Sequence, residues 1–237
     1  MAHVWGDSPT DGPCVGCHDA VVVDVTEIDE VVAGARGGHA RLIETIAALS
    51  DDQARSPSLL PGWTVGHVLT HIARNGDSHV RMMRAAIAGE AVTQYAGGHE
   101  ERVANIEAGA ARPAAELIAD VASSAAAVDA AWAEMTPQAW AGHGLNAAGE
   151  IWPCAAMPLH RWREVELHHV DLGLGYLPAD WPAAYVDREL AISLRLMPER
   201  LDSAGQHQIL AWLVGRSAQP GEVALAPWQN RPDHYLR

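Results

Sequence analysis

Apolar residues recur at helical spacing in four stretches of the chain, and each stretch predicts a helix that buries one face. The second stretch follows a turn predicted at Pro61-Gly62, and Thr64 is a good N-cap residue directly before the apolar run. The last stretch is closed by Gly173, the expected C-cap glycine. The predicted helices span Asp24 to Leu49, Thr64 to about Ala88, Arg112 to Met135, and about Cys154 to Leu172.

The two ends of the chain depart from this pattern. Residues 1–25 are rich in glycine, proline, aspartate and cysteine, so we expect a loose arm there. The segment after Gly175 is short, and its pattern predicts two helices and one short strand. These elements are expected from Tyr185 to about Leu196, from about His207 to Arg216, and from Val223 to Ala226.

Composition narrows the class of protein. Apolar residues make up 49% of the 237 residues, but no uninterrupted apolar run approaches the length of about 18 that a membrane span needs. The formal net charge of -14 argues against a nucleic-acid partner, whose phosphates require a basic surface. The acidic N-terminus does not predict a signal peptide, and three cysteines do not indicate a secreted disulfide scaffold. We therefore expect a cytoplasmic protein that interacts with neither membranes nor nucleic acids.

The last predicted helix carries a carboxylate and an imidazole one helical turn apart. Glu164 and His168 are four residues apart and therefore project from the same helix face. Such a pair can hold two corners of a divalent metal, and a third protein ligand would leave one position open for water or substrate. The second helix offers His67 and His71, again one turn apart, and their spacing does not choose between them. An isolated pair of this kind is more often solvated or at the rim of a core.

Two segments carry a resemblance to a known family: PGWTVGHVLTHIARN at 61–75 and REVELHHVDLG at 163–173. Together they resemble the mycothiol-dependent maleylpyruvate isomerase family, within the DinB-like superfamily of metal-binding proteins. The resemblance covers roughly residues 40–175. It implies an all-α-dominated fold, with a DinB-like four-helix bundle at 26–175 and a short, reduced C-terminal α/β appendage at 176–237.

The same resemblance implies the residues of a site. By position, His71, Glu164 and His168 match the metal ligands of the family. The segment 100–106 is similar to the one that carries the catalytic arginine of the family, which falls on Arg102. The expected cofactors are a divalent metal, with Zn²⁺ as the expected ion, and mycothiol as a thiol cosubstrate. The chain contains neither lysine nor phenylalanine, which indicates a high-GC genome and is compatible with an actinobacterial, mycothiol-producing source.

The family implies an enzyme that activates the thiol of mycothiol. The thiol would be transferred to a small electrophilic substrate, or would assist the cis–trans isomerisation of that substrate. The alternative is a non-catalytic DinB-like metal-binding protein with a role in stress or sensing. Arg102 discriminates between these functions, because an enzyme needs a group that binds substrate. A homodimer is compatible with bundles of this kind.

Several further residues leave alternatives open. His160 lies one turn before Glu164 and is either a spare ligand or a group behind the ligands. Asp171 either orients a metal-bound histidine, or pairs with an arginine or caps a neighbouring segment. Cys154, near a predicted helix N-terminus, is either a nucleophile or, more commonly for such a residue, a buried and inert thiol.

The arm contains the motif Cys14-Val15-Gly16-Cys17-His18, which matches the pattern for covalent c-type haem attachment. That chemistry requires export, and no export signal is recognised. The two cysteines could instead bind a metal, form a disulfide or sense redox state. A chance occurrence in a loose arm is the simplest interpretation.

Overall fold

The computed structural model describes residues 25–226, and four long helices dominate this part of the chain. No helix in the described part is long and apolar enough to cross a membrane. A two-stranded antiparallel sheet is formed by β1 (His143–Leu145) and β2 (Ile151–Pro153). The helices are α1 (Val25–Ile46), α2 (Asp51–Arg55), α3 (Val65–Ile87), α4 (Gly98–Ala110), α5 (Ala114–Glu134), α6 (Pro137–Trp140), α7 (Met157–Asp171), α8 (Ala183–Leu196) and α9 (Ser203–Leu213).

Helices α1, α3, α5 and α7 form a four-helix bundle in which each helix packs against two others. Helix α1 contacts α5 and α7, and α3 contacts the same two helices from the opposite side. The predicted helical fold is confirmed, and the predicted bounds of these helices differ from the observed ones by a few residues. Thr64 is the N-cap of α3 as expected, since its side chain accepts a hydrogen bond from the backbone N–H of His67.

The core consists of two apolar clusters separated by a layer of buried polar side chains. One cluster lies around Val31, Met83 and Trp132, and the other lies around Ile46, Leu69 and Leu117. Each bundle helix contributes one residue to the polar layer between them, and these four residues are 0–3% exposed. The polar layer consists of His39 from α1, Asn75 from α3, Ser124 from α5 and Arg161 from α7.

Glycines in α1 allow that helix to approach α7 closely. Glycine is a poor helix former, and α1 contains Gly34, Gly37 and Gly38 in its middle. The structure shows a continuous helix in which the ring of Trp162 lies directly over Gly34. A Cβ atom at Gly34 would lie 2.3 Å from Cη2 of this ring, so only glycine fits the contact.

The connection between α5 and α7 contains structure that periodicity did not predict. The β1–β2 hairpin follows α6, and the loop after α3 pairs with its first strand. The N–H of Gln94 donates to the carbonyl of Leu145 at 2.7 Å, and the N–H of Leu145 donates to the carbonyl of Val92 at 2.9 Å. This pairing fixes Gln94, and Tyr95 after it, against the bundle.

Helices are the only regular elements in residues 176–226, and the strand predicted at Val223–Ala226 is wrong. Ala226 pairs with Arg200 instead of with another strand: its N–H donates to the carbonyl of Arg200 at 2.8 Å, and its carbonyl accepts from Nε of Arg200 at 3.0 Å. No neighbouring strand lies within residues 176–226 to complete a sheet. Cys14, Cys17 and His18 lie outside the described residues.

Candidate functional site

Helices α3 and α7 run in opposite directions and face each other through two ladders of side chains. On each helix the ladder residues are four apart, so they lie on one face. The N-terminal part of α3 meets the C-terminal part of α7, where the predicted ligands come together. The ladders are His71, Asn75 and His79 on α3, and His160, Glu164 and His168 on α7.

Three predicted ligands converge in a small triangle of donor atoms. Nε2 of His71 lies 3.1 Å from Oε2 of Glu164 and 3.0 Å from Nε2 of His168. The third edge, from Nε2 of His168 to Oε2 of Glu164, is 3.6 Å. The exposed side-chain fractions are 5% for His71, 14% for Glu164 and 19% for His168, so the triangle is buried on most sides.

These donor separations fit the geometry of a small divalent ion. Zinc binds imidazole nitrogen and carboxylate oxygen at about 2.0–2.2 Å, so two ligands of a tetrahedron lie about 3.3 Å apart. The observed edges of 3.0–3.6 Å bracket this value. Two imidazoles and one carboxylate also form a ligand set common in catalytic zinc sites, which keep one position open.

Two further side chains hold the triangle from behind. Oδ2 of Asp171 lies 2.8 Å from Nδ1 of His168, the position of an outer acceptor that orients a metal-binding imidazole. Nε2 of His160 lies 3.3 Å from Oε1 of Glu164, on the carboxylate oxygen that faces away from the triangle. His160 in turn meets His79, whose Nε2 lies 3.0 Å from Nδ1 of His160.

The charges of the three candidate ligands are set by burial and by their contacts. Burial alone would raise the pKa of Glu164, but His160, His168 and His71 hold it well below its usual range. Burial lowers the pKa of His71 to about 4, against the effect of Glu164. Burial also acts to lower the pKa of His168, but hydrogen bonds with Asp171 and Glu164 raise it to about 9. Without a metal, the triangle therefore holds one carboxylate, one neutral imidazole and one imidazolium near neutral pH.

The alternative candidates occupy other positions. His67 takes part in a capping box at the start of α3, where its Nδ1 accepts from the N–H of Thr64 at 3.2 Å, so it lies outside the triangle. The Cys154 thiol is fully buried, and burial raises its pKa to about 11. Cys154 is therefore a buried, protonated thiol and not an activated nucleophile.

The triangle opens into a cavity of about 290 Å³, the lower end of the size range of small-molecule sites. Arg102 from α4 lines this cavity, and its Nη2 donates to Nδ1 of His71 at 3.2 Å. The structure thus brings the predicted arginine to the predicted ligands, although their positions in the sequence are far apart. The other lining residues are Leu60, Trp63, Asn75, Gln94, Tyr95, Trp152 and His160.

Sequence reasoning missed several of these lining residues. Asn75 carried a usable signal, because it lies one turn after His71 on the same face of a predicted helix. Gln94 carried none, because the pairing of its loop with β1 joins segments far apart in the chain. Trp152 lies on β2 of a short hairpin that helical periodicity does not reveal. Tyr95, next to Gln94 on the same loop, is a buried part of the cavity wall.

Comparison with known proteins gives a consistent result. A family model described as the mycothiol maleylpyruvate isomerase N-terminal domain matches residues 35–173. A crystal structure of a mycothiol-dependent maleylpyruvate isomerase is 28% identical, with a TM-score of 0.66, and the match covers 73% of this chain and 72% of that one. A histidine-to-alanine mutant of a mycothiol-dependent maleylpyruvate isomerase is 27% identical, with the same TM-score and coverage. A search among curated proteins gives no significant match.

Proposed function

Since this chain belongs to the mycothiol maleylpyruvate isomerase family, we propose that it is a metal-dependent enzyme that uses the thiol of mycothiol to attack a small electrophilic substrate. The reaction is an isomerisation assisted by the thiol, or a transfer of the thiol to the substrate. One observation carries the proposal: the His71–Glu164–His168 triangle and Arg102 face the same small cavity.

In this proposal, the triangle holds a divalent ion, with Zn²⁺ as the best match to the donor set. A bound ion of this kind lowers the pKa of a coordinated thiol, so that thiolate forms near neutral pH. Asp171 holds the ring of His168 in place, and His160 does the same for the carboxylate of Glu164. Both contacts fix the ligands before substrate arrives.

No cysteine among residues 25–226 can supply the nucleophilic sulfur, which favours a cosubstrate as its source. Cys154 is the only cysteine among residues 25–226, and it is buried, protonated at neutral pH and absent from the cavity wall. A low-molecular-weight thiol that enters the cavity supplies the missing group. The family to which the chain belongs uses mycothiol in this role, and we extend that use to this protein.

For a maleylpyruvate-like substrate, the thiolate adds to the conjugated double bond, and the carbonyl conjugated with it becomes an enolate. The carbon–carbon bond is then single and rotates. Collapse of the enolate expels the thiolate and leaves the trans isomer. Arg102 binds a substrate carboxylate or the developing enolate oxygen, since a guanidinium can donate two parallel hydrogen bonds to such a group.

The present contact of Arg102 is compatible with this role. It requires a His71 Nδ1 without a proton, whereas a neutral imidazole that binds an ion through Nε2 carries its proton on Nδ1. If the triangle binds an ion, Arg102 therefore has to replace Nδ1 of His71 with another hydrogen-bond acceptor. A substrate anion in the cavity provides that acceptor. A positive group aimed into the cavity also favours an enzyme over a non-catalytic metal-binding protein.

Metal content provides the first test. Elemental analysis of the wild-type protein and of His71→Ala, Glu164→Ala and His168→Ala is expected to give about one zinc per chain in the wild type and a loss in each variant. The zinc-loaded wild type is then assayed with mycothiol and maleylpyruvate, and with other small electrophiles. Wild-type protein that holds no metal after reconstitution, or variants that retain it, would contradict the ligand assignment. A metal-loaded protein without any thiol chemistry would support the non-catalytic alternative.

A further inference from the structure

A buried arginine determines which end of the Asn75 side chain faces the cavity. Arg161 is fully buried, and its Nη1 donates to Oδ1 of Asn75 and to the carbonyl of Ile72, both at 2.8 Å. Its Nε donates to Nε2 of His39 at 3.0 Å. Three acceptors from two helices thus surround a guanidinium that no carboxylate contacts directly among the described residues.

The Asn75 amide can adopt only one of its two orientations. Burial lowers the pKa of Arg161 to about 10, which still leaves the group charged near neutral pH. The guanidinium can donate a hydrogen bond to the amide oxygen but not to the amide NH₂, which it repels. A flipped amide would therefore place donors against donors. The oxygen of Asn75 is therefore committed to Arg161, and its NH₂ group is directed away from the guanidinium.

The Asn75 side chain belongs to the cavity wall. Asn75 lines the cavity and lies one helical turn after His71, on the face of α3 that meets α7. Among residues 25–226, no protein acceptor is found for its Nδ2. Asn75 as a whole is only 2% exposed, and Nδ2 is not one of the completely buried atoms without a partner, as expected for a group at the cavity surface. A ligand in the cavity is the natural acceptor.

We propose that Nδ2 of Asn75 is a fixed hydrogen-bond donor that binds an anionic oxygen of the substrate, either a carboxylate or the enolate formed after thiol addition. This inference rests on the proposed function, because it assigns a role in the same cavity.

Asn75 and Arg102 have different roles in binding this group. Arg102 is only partly buried and supplies charge from α4, whereas Asn75 is buried and locked by the polar layer. A donor that is already oriented does not need to reorganise when negative charge develops near it, and it acts most strongly where water is excluded. Asn75 therefore sets where the anionic oxygen lies, and Arg102 contributes most of the attraction.

Two substitutions separate donation to substrate from the contact with Arg161. Asn75→Asp keeps an oxygen against Arg161 but removes both N–H donors and adds a negative charge toward the cavity. Asn75→Ala removes the donor and the acceptor together. Ser124→Ala is the matched control, because it changes the polar layer at a residue that does not line the cavity. Zinc content and the thermal midpoint are measured for all three variants and for the wild type.

The probe is maleate, a small conjugated dicarboxylate, titrated calorimetrically in the absence of thiol. We expect Asn75→Asp and Asn75→Ala to weaken maleate binding by about 10- to 100-fold, the loss typical of a hydrogen bond to a charged group. Ser124→Ala should bind within about twofold of the wild type. On wild-type protein, the assigned side-chain amide resonance of Asn75 should shift on addition of maleate, which tests the contact even if a variant fails to fold.

Each other outcome contradicts the proposal. Maleate binding within twofold of the wild type in Asn75→Asp, an Asn75 amide resonance that does not move, or a wild type that does not bind maleate would overturn it. The titrations are run on zinc-loaded and on metal-free protein. The two proposals can fail separately. If the wild type binds no metal, but binds maleate and loses that binding on Asn75→Asp substitution, the proposed function is refuted and the donor role of Asn75 stands.

Discussion

Glu164 divides its two carboxylate oxygens between the candidate metal ligands and His160. Its Oε2 faces Nε2 of His71 at 3.1 Å, and its Oε1 lies 3.3 Å from Nε2 of His160, which is 1% exposed. We therefore expect His160 to position Glu164, by holding the carboxylate in the rotamer that keeps Oε2 in the triangle. His160 lies outside the triangle, but through Glu164 it can influence the geometry of the ligands.

Replacement of His160 tests this relationship. His160→Leu removes the contact with Oε1 and should weaken zinc binding by about 10- to 100-fold, the usual effect of losing an outer partner of a metal ligand. His160→Gln places an amide N–H near the position of Nε2 and should restore most of the affinity. Zinc affinity is measured by competition with a chromogenic chelator. Equal affinities for the two variants would show that the contact does not position Glu164.

Metal binding should release about one proton per ion near pH 7.5. His168 is protonated in the metal-free protein, because hydrogen bonds with Asp171 and Glu164 raise its pKa to about 9, and a ligand imidazole has to be neutral. His71 and Glu164 contribute no proton at this pH, since their pKa values are lowered. Calorimetric titration of zinc in buffers of different ionisation enthalpy gives the number directly. Release of no proton would contradict the assigned charge of His168.

The stability of the metal-free protein should fall on both sides of about pH 6.5. The folded pKa of His168, about 9, lies above the ordinary value of 6.5, so its contribution is complete below pH 6.5 and is lost as pH rises toward 9. The folded pKa of His71, about 4, lies below 6.5, so its contribution is complete above pH 6.5 and is lost as pH falls toward 4. Urea unfolding across this range measures the profile. His168→Gln should lack most of the loss between pH 6.5 and 9.

Arg102 should affect substrate binding and turnover but not metal content. Arg102→Ala is expected to lower kcat/KM by about 10- to 100-fold, because it removes a charged hydrogen bond to the substrate anion. Arg102→Lys should recover only part of the loss, since an ammonium cannot make two parallel bonds to a carboxylate. Arg84→Ala, at an exposed position of α3, is the control. Full activity of Arg102→Ala with bound zinc would remove this residue from the mechanism.

Two glycines of α1 should respond to alanine in opposite ways. An alanine is better than glycine in a helix interior by about 1 kcal/mol. At Gly37 the added Cβ meets only the flexible end of Arg41, at 3.2 Å, so we expect a gain in the free energy of unfolding. At Gly34 the added Cβ would lie 2.3 Å from the buried ring of Trp162, and we expect a loss of about 1–3 kcal/mol. Urea unfolding of both variants checks the difference, and a Gly34→Ala protein as stable as Gly37→Ala would contradict the packing.

The sequence was informative about the helices and less so about the walls of the site. Local periodicity and the N-cap at Thr64 were enough to place α3, because both are properties of neighbouring residues. The same periodicity could not choose between His67 and His71, which lie on adjacent turns of one face. Their roles depend on which turn meets α7, and that is set by tertiary packing.

The parts that could not be predicted depend on contacts between distant segments. Gln94 reaches the cavity through hydrogen bonds between its loop and β1, and no local pattern encodes such a pairing. The error at Val223–Ala226 has the same origin, because an apolar extended segment becomes a strand only if another strand lies beside it. Here the segment meets Arg200 and the turn that contains it.

The polar layer has a consequence for how the helices align as the chain folds. A shift of α7 by one turn would replace Arg161 at the layer with Met157 or Val165 and would move the guanidinium into an apolar cluster. A buried charge without acceptors is strongly unfavourable, whereas an apolar core of similar shape would tolerate the shift. The layer thus selects one register of α7 against α3, and that register brings His168 opposite His71.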